Sequence, residues 1–152
     1  MPRETIAIAA DHAGFAMKAT LAADLGQMGY DVLDLGTNSE ASVDYPDFGF
    51  AVGRAVASGQ AARGIVVCGT GIGISIAANR NSHVRAALCT DGLMARLARE
   101  HNDANVLALG SRIIGIETAR DCMRQFLSTQ YLGDRHAGRV AKLNHVEFEN
   151  VE

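Results

Sequence analysis

The fold of this chain is decided by the stretch Gly64-Ile65-Val66-Val67-Cys68-Gly69-Thr70-Gly71-Ile72-Gly73-Ile74-Ser75-Ile76-Ala77-Ala78-Asn79. Residues 64–68 are apolar and β-branched, which is typical of a strand buried on both faces of a parallel sheet. Glycines then occupy alternate positions 69, 71 and 73, and an alanine-rich run typical of a helix follows. The stretch therefore predicts a buried strand, a glycine-rich turn and the start of a helix.

The predicted turn has a chemistry of its own. Backbone N–H groups at a helix N-terminus suit a bound anion or a developing oxyanion. A cysteine, Cys68, opens the turn. A thiol beside a helix start gains thiolate character and can act as a base or nucleophile, but free cysteines are also common as inert core residues. Position alone leaves both interpretations of Cys68 open.

Three familiar motifs are excluded at this turn. A Walker A loop needs Lys followed by Ser or Thr after its last glycine, and neither stands there. A dinucleotide fingerprint follows the first strand and has its third glycine where this chain has Ile74. A response-regulator receiver domain would have an aspartate at the end of its third strand, where this chain has Cys68.

Length and composition bound the remaining possibilities. A chain of 152 residues with 48% hydrophobic residues predicts a single domain over 1–152 with a substantial core. The net charge of −3 is mixed along the chain without a basic patch, which argues against nucleic-acid binding. We find no apolar run of membrane-spanning length and no signal-peptide pattern. The three cysteines, 68, 89 and 122, are odd in number and widely spaced, which favours reduced thiols in the cytoplasm over disulfides or a metal site.

Hydrophobic patterning predicts strands that alternate with helices along the whole chain. The strands are predicted at 4–10, 31–35, 64–68, 84–88 and 105–109. The first helix is predicted to end near residue 27, the second to span 46–58 and the third to begin near 71. The fourth and fifth are predicted to span 91–101 and 116–128. A last helix is predicted to start near 133 and run into the polar tail. This alternation predicts a Rossmann-like three-layer α/β/α sandwich with a five-stranded parallel sheet and an extra C-terminal helix.

Ligands of such sheets bind beyond the carboxyl ends of the strands. Several polar or ionisable residues are predicted there: Asp11, His12, Tyr45, the turn 68–73, Ser111 and Arg112. Each has an ordinary alternative, and Asp11 is as well suited to cap a helix as to bind a ligand. Their collection at one edge favours a site.

Two further groups lie outside that edge. Arg135 and Arg139 are four residues apart, so they share a helix face and are able to grip a phosphate together, although a solvated basic face is the simpler interpretation. His101 ends the fourth predicted helix, where a histidine often only complements the helix dipole.

Six segments together resemble the ribose-5-phosphate isomerase type B family, within the group that also holds galactose-6-phosphate and allose-6-phosphate isomerases. They span most of the chain in order: Asp11-His12-Ala13-Gly14-Phe15, Asp44-Tyr45-Pro46, residues 68–79, His101-Asn102-Asp103-Ala104-Asn105-Val106-Leu107, Gly110-Ser111-Arg112, and Arg135-His136 with Arg139-Val140.

The resemblance implies roles for individual residues. Cys68 matches the base that moves a proton between C2 and C1, and Thr70 its catalytic neighbour. His101 matches the residue that opens the sugar ring. The resemblance implies that the backbone of the glycine turn holds the enediolate oxygen and that Arg135 and Arg139 hold the phosphate. The full set of residues for which it implies substrate binding is Asp11, His12, Tyr45, Gly69, Gly71, Ile72, Gly73, Asn102, Arg112, Arg135 and Arg139.

The implied activity is the interconversion of D-ribose 5-phosphate and D-ribulose 5-phosphate in the pentose phosphate pathway, without metal or cofactor. Alternatives are the same chemistry on allose 6-phosphate, galactose 6-phosphate or a tetrose 4-phosphate, and a non-catalytic sugar-phosphate sensor.

The resemblance also raises a geometric conflict. The fourth helix runs about ten residues, or ~15 Å, away from the edge that holds Cys68. His101 would then lie far from its own glycine turn. A homodimer or homotetramer in which His101 serves the partner's Cys68 resolves the conflict; the simpler alternative is that His101 only caps its helix.

Overall fold

The computed structural model describes residues 2–146. Five parallel strands form one sheet in the order β2-β1-β3-β5-β4. The strands are β1 (Thr5–Ala10), β2 (Asp31–Asp34), β3 (Arg63–Cys68), β4 (Ala86–Leu88) and β5 (Val106–Gly110). The helices are α1 (Phe15–Gln27), α2 (Tyr45–Ala57), α3 (Ile72–Ala78), α4 (Gly92–Asn102), α5 (Ile116–Ser128) and α6 (Ala137–Asn144), with short 3₁₀ turns at His12–Gly14 and Asp134–His136.

The sheet has a separate apolar layer on each face. Helices α1, α4 and α5 bury Leu21, Ala95 and Phe126 against one face. Helices α2 and α3 bury Val52 and Ile74 against the other. Because successive strand residues point to opposite faces, every strand buried on both sides reads as a continuous apolar run. The predicted α/β/α sandwich is confirmed.

The chain reverses its direction across the sheet between β1 and β3. From β1 it moves outward to β2, and it returns to place β3 on the other side of β1. The loops after β1 and β3 therefore leave the sheet side by side and diverge to opposite faces. Such a switch point is where ligands of open parallel sheets bind, and here it brings the segment after Ala10 next to the glycine turn after Cys68.

One edge of the sheet differs in detail from the prediction. Strand β4 begins at Ala86 rather than residue 84, because the N–H of Val84 donates to the carbonyl of Asn81 in a turn. Asn79, which ends α3, lies against the outer edge of β4. Its side-chain oxygen accepts the N–H of Ala86 at 2.8 Å, and its amide nitrogen donates to the carbonyl of Ala86 at 3.0 Å. The side chain thus takes the place of a neighbouring strand.

Helix α6 ends at Asn144, and the tail from residue 147 lies outside the described residues. Within residues 2–146, none of the helices combines the length and the hydropathy needed to cross a bilayer.

Candidate active site

The site is built on the turn between β3 and α3. Gly71 has φ +77°, and a Cβ there would lie 2.8 Å from the carbonyl carbon of Leu109 in β5, so the turn packs directly on the neighbouring strand. The N–H of Gly71 donates to Sγ of Cys68 at 3.2 Å. The N–H of Ile72 donates to Oγ1 of Thr70 at 3.1 Å, which leaves the Thr70 hydroxyl proton free to donate elsewhere. The sulfur is therefore held at the start of α3 by a backbone donor.

The turn after β5 is hydrogen-bonded to the glycine turn. The N–H of Ser111 donates to the carbonyl of Cys68 and that of Arg112 to the carbonyl of Gly69, both at 2.9 Å. These bonds bring the guanidinium of Arg112 alongside Gly69, where Nη1 lies 3.1 Å from the position of a Cβ. Arg112 is exposed and has no carboxylate partner among residues 2–146. It therefore supplies uncompensated positive charge beside the thiol.

The segment after β1 completes the wall of the site. Asp11 is buried, and its Oδ1 accepts the N–H of Gly14 at 3.1 Å, which is the capping role that its position allowed. His12 is half-buried, and its Nδ1 accepts the N–H of Val43 at 3.1 Å. The ring of Tyr45, at the start of α2, lies so close to the backbone at position 73 that any Cβ there would force the ring to move.

These elements enclose one cleft of about 480 Å³ at the carboxyl edge of the sheet. Its lining contains nine of the predicted site residues: Asp11, His12, Tyr45, Cys68, Gly69, Thr70, Ile72, Gly73 and Arg112. Gly71 stands within the same turn. The structure thus gathers the predicted carboxyl-edge group at one place, apart from Ser111, which does not line the cleft and whose hydroxyl donates to the carbonyl of Ala13 at 2.8 Å.

A second group of predicted residues does not reach this cleft. Helix α4 carries His101 and Asn102 at its far end, about 14–15 Å along the axis from Gly92. The imidazole of His101 stacks on that of His136, with ring centroids 4.4 Å apart and planes 16° from parallel. Nε of Arg135 donates to Nε2 of His136 at 3.4 Å. His101 and Asn102 are not among the residues that line the cleft.

His136 is the buried member of this second group. Burial lowers its pKa, and the positive charges of His101, Arg135 and Arg139 lower the pKa further. Arg139 thus belongs to the same cluster, as its spacing from Arg135 predicted. The arrangement concentrates positive charge around a neutral imidazole, which suits an anion brought to it from outside.

All three cysteines are buried. Burial raises the pKa of Cys89 to about 12 and that of Cys122 to about 11, so both remain thiols. Cys68 is the cysteine that lines the cleft and accepts a backbone N–H. Among residues 2–146, no group of three or more histidine, cysteine or acidic side chains has the arrangement of a metal site.

Some residues of the site were not predicted from the sequence. Ile76 lines the cleft beside Ile72, and both are 52% exposed. Their spacing of four residues on one helix face was the available signal. The link from Val43 to His12 spans 31 residues and has no local signature. His136 lies within a predicted motif, but nothing in the sequence pointed to its stacking on His101.

A doubly wound parallel sheet with a thiol, a free guanidinium and a glycine turn at its switch point defines the class of α/β proteins that bind small anionic ligands at that edge. The family model described as Ribose/Galactose Isomerase matches residues 6–143, and the chain belongs to this family. The family and the enzyme class that the sequence motifs predicted are confirmed.

Individual relatives are similar over nearly their whole length. The chain is 45% identical to "Ribose-5-phosphate isomerase B" of Escherichia coli (strain K12), over 93% of this chain and 95% of that protein. It is 38% identical to "D-erythrulose-4-phosphate isomerase" of Pectobacterium atrosepticum, over 95% and 96%. The solved structure of ribose-5-phosphate isomerase B from Clostridium thermocellum superposes with a TM-score of 0.91 and 52% identity, covering 92% of this chain and 95% of that one.

Proposed function

We propose that this protein interconverts D-ribose 5-phosphate and D-ribulose 5-phosphate through an enediolate. The observation that carries the proposal is the placement of the Cys68 sulfur, the glycine-turn backbone and the Arg112 guanidinium in one cleft. An aldose–ketose isomerase needs a base that moves one proton between adjacent carbons, donors for the oxygen that becomes negative, and a cation for the phosphate. Relatives named as sugar-phosphate isomerases support the same reaction class.

Each step of the proposed reaction uses groups that this chain carries. The Cys68 thiolate removes the proton from C2 of the open-chain aldose, and the electron pair forms the C1–C2 double bond while the carbonyl oxygen becomes negative. Backbone N–H groups of the turn and the free Thr70 hydroxyl proton donate to that oxygen. The proton of the C2 hydroxyl passes to the oxygen on C1, which moves the negative charge to the C2 oxygen. The thiol then returns its proton to C1, and the C2 oxygen becomes the ketone. The C–H proton leaves and returns through Cys68 and the hydroxyl proton stays on the substrate, so the reaction calls for no metal or redox cofactor.

We infer that the site is completed by a second copy of the chain. His101, Asn102, Arg135 and Arg139 would reach the cleft from the partner in a homodimer or homotetramer, with His101 opening the sugar ring and the arginines holding the phosphate. Support comes from apolar side chains exposed around the cleft: Ile72 and Ile76 are each 52% exposed, and Tyr45 is 43% exposed. An isologous interface over this face would bury them and create two identical sites.

The shared site is tested by mixing two inactive proteins, Cys68→Ala and His101→Ala, after dissociation and reassembly. Random pairing gives heterodimers with one intact site each, so about a quarter of wild-type activity should return. Mass spectrometry of differently tagged chains verifies the exchange. If exchange is complete and activity stays at the level of the parents, the shared site is wrong and His101 serves only its own helix.

The phosphate clamp is tested separately. Arg135→Ala and Arg139→Ala should raise KM for the sugar phosphate without changing the fold, because two arginines give a phosphate charge-assisted hydrogen bonds. Arg124→Ala, on an exposed position of α5, is the matched control. Equal inhibition of wild type and both variants by inorganic phosphate would contradict the clamp.

The substrate is tested by a kcat/KM panel of four-, five- and six-carbon aldose phosphates. We expect the highest value with ribose 5-phosphate. A maximum with a tetrose 4-phosphate would favour the activity named for the Pectobacterium relative, and a maximum with allose or galactose 6-phosphate would favour the six-carbon alternative. Background rates throughout, with ligands still bound, would support a sensor. The proposal places the protein in the cytoplasm, as one domain acting in the pentose phosphate pathway.

A further inference from the structure

The imidazole of His12 has its two nitrogens in different environments. Nδ1 accepts the main-chain N–H of Val43 at 3.1 Å. A backbone N–H is only a donor, so Nδ1 must be unprotonated, and the proton of the neutral ring must be on Nε2. Because Nδ1 is occupied, Nε2 is the nitrogen left to face a ligand in the cleft that His12 lines. The ring is thereby fixed as a hydrogen-bond donor toward the cleft.

The residue that supplies this N–H belongs to the loop between β2 and α2, residues 35–44, which we call the β2–α2 loop. Its first part is anchored to β1: the N–H of Ala10 donates to the carbonyl of Gly36, and the N–H of Thr37 donates to the carbonyl of Ala10, both at 2.7 Å. Farther along, Ala41 bonds only within the loop, to Oγ of Ser39.

Among residues 2–146, the bond from Val43 to His12 is the single hydrogen bond between residues 38–43 and another part of the chain. Tyr45 follows directly and lines the cleft. The position of the loop's second half therefore depends on the same imidazole that faces the ligand. If the loop moves, Nδ1 of His12 loses the N–H of Val43. If the proton of the ring moves to Nδ1, the loop loses its hydrogen bond to His12.

We propose that the main-chain N–H of Val43 is a positioning group for substrate binding, which holds His12 in its Nε2–H tautomer and seats the β2–α2 loop beside the cleft. His12 then donates from Nε2 to an oxygen of the substrate, a step that rests on the proposed function. The tautomer itself does not rest on it, since it follows from the contact between two groups of this chain.

The size of the effect follows from the number of bonds involved. Without the Val43 N–H, the imidazole distributes between its two neutral tautomers and the loop loses its tie. One net hydrogen bond corresponds to a factor of about three to ten in binding. We therefore expect KM to rise by about that factor. Because His12 is not the proton-transferring base, kcat should change much less than KM.

The variant that removes this N–H is Val43→Pro. Two controls isolate it. Val43→Ala shortens the side chain but keeps the N–H. Ser42→Pro stiffens the same loop one residue earlier, at an exposed position whose N–H has no partner among residues 2–146. Only Val43→Pro should raise KM for ribose 5-phosphate; equal effects of the two prolines would overturn the proposal.

A spectroscopic measurement on the unaltered protein provides the second test. Long-range ¹H–¹⁵N NMR spectra of ring-labelled histidine, recorded well above the ordinary imidazole pKa of about 6.5, distinguish protonated from unprotonated ring nitrogens. We expect His12 with the proton on Nε2 in wild type and Val43→Ala, and a mixture in Val43→Pro. A proton on Nδ1 of His12 in wild type would overturn the proposal even if Val43→Pro failed to fold. Absence of isomerase activity with the Nε2–H tautomer present would instead count against the proposed function alone.

Discussion

The ion pair between Lys18 and Asp34 gives a sharp prediction, because its two members differ in burial. The Lys18 ammonium lies 2.8 Å from both carboxylate oxygens of Asp34. The Lys18 side chain is 3% exposed and that of Asp34 is 41% exposed. Asp34→Asn therefore leaves a buried ammonium without a counter-charge, whereas Lys18→Met leaves a carboxylate that water already solvates. Removing one partner of a buried pair costs about 3–5 kcal/mol, and partial solvation favours the lower end, about 3 kcal/mol.

We expect Asp34→Asn to lower Tm by about 6–12 °C, from the ~2–4 °C per kcal/mol typical of this chain length. The amide oxygen still accepts the N–H of Gly36, which Oδ1 of Asp34 accepts at 2.9 Å, so the loop contact is kept. Lys18→Met should cost less than about 1 kcal/mol, and the double variant should resemble Lys18→Met. Urea unfolding at one fixed protein concentration measures all three. A larger loss in Lys18→Met than in Asp34→Asn would refute the assignment of the cost to the buried ammonium.

Three further outcomes are expected. Cys68→Ala should lower kcat by about 10²–10⁴ with an unchanged circular dichroism spectrum, as for loss of a general base; near-full kcat would remove Cys68 from the mechanism. Because burial lowers the pKa of His136 below its ordinary 6.5, the unfolded chain binds more protons, so stability should fall as pH drops through 6.5. The urea midpoint of His136→Phe should fall less than that of wild type as the pH drops through 6.5. Parallel pH profiles of the two proteins would contradict the assignment of this loss to His136. Gly71→Ala and Gly59→Ala both place a side chain at positive φ, which costs about 1–2 kcal/mol of stability in each. Only the new methyl at position 71 meets the backbone of β5, so Gly71→Ala should lose more stability in chemical denaturation. Equal losses would contradict the close packing of the turn on β5.

Much of the architecture was predictable because it depends on local periodicity. The apolar run 64–68 and the glycines after it predicted β3 and the turn to within a residue. Lateral strand order was not predictable from the same pattern. Nothing in the composition of β4 and β5 indicates that β5 lies between β3 and β4. That order is decided by how the layers on each face pack together, which involves contacts across the whole chain.

The candidate site divides in the same way. Residues that directly follow strands, such as Asp11 and Cys68, were predictable, because all parallel strands end at one edge. The stacking of His101 on His136 and the bond from Val43 to His12 join segments 35 and 31 residues apart. Such partners depend on the conformation of loops, and loop conformation has no periodic signature in a sequence.

The Asn79 side chain at the outer edge of β4 has a consequence for the order in which the chain is made. Within the part of the chain that the structure describes, strand β4 pairs in the sheet only with β5. Strand β5 is synthesised about 20 residues later, or ~1–4 s at ordinary translation rates. During that interval β4 has no neighbouring strand to pair with. Asn79, seven residues before Ala86, has already been synthesised and is able to hydrogen-bond to the backbone of β4. Asn79→Ala should therefore increase light scattering, a measure of aggregation, during synthesis or refolding, while the stability of the folded protein changes little. Equal scattering from wild type and variant would show that β4 does not need Asn79 to avoid aggregation before β5 is made.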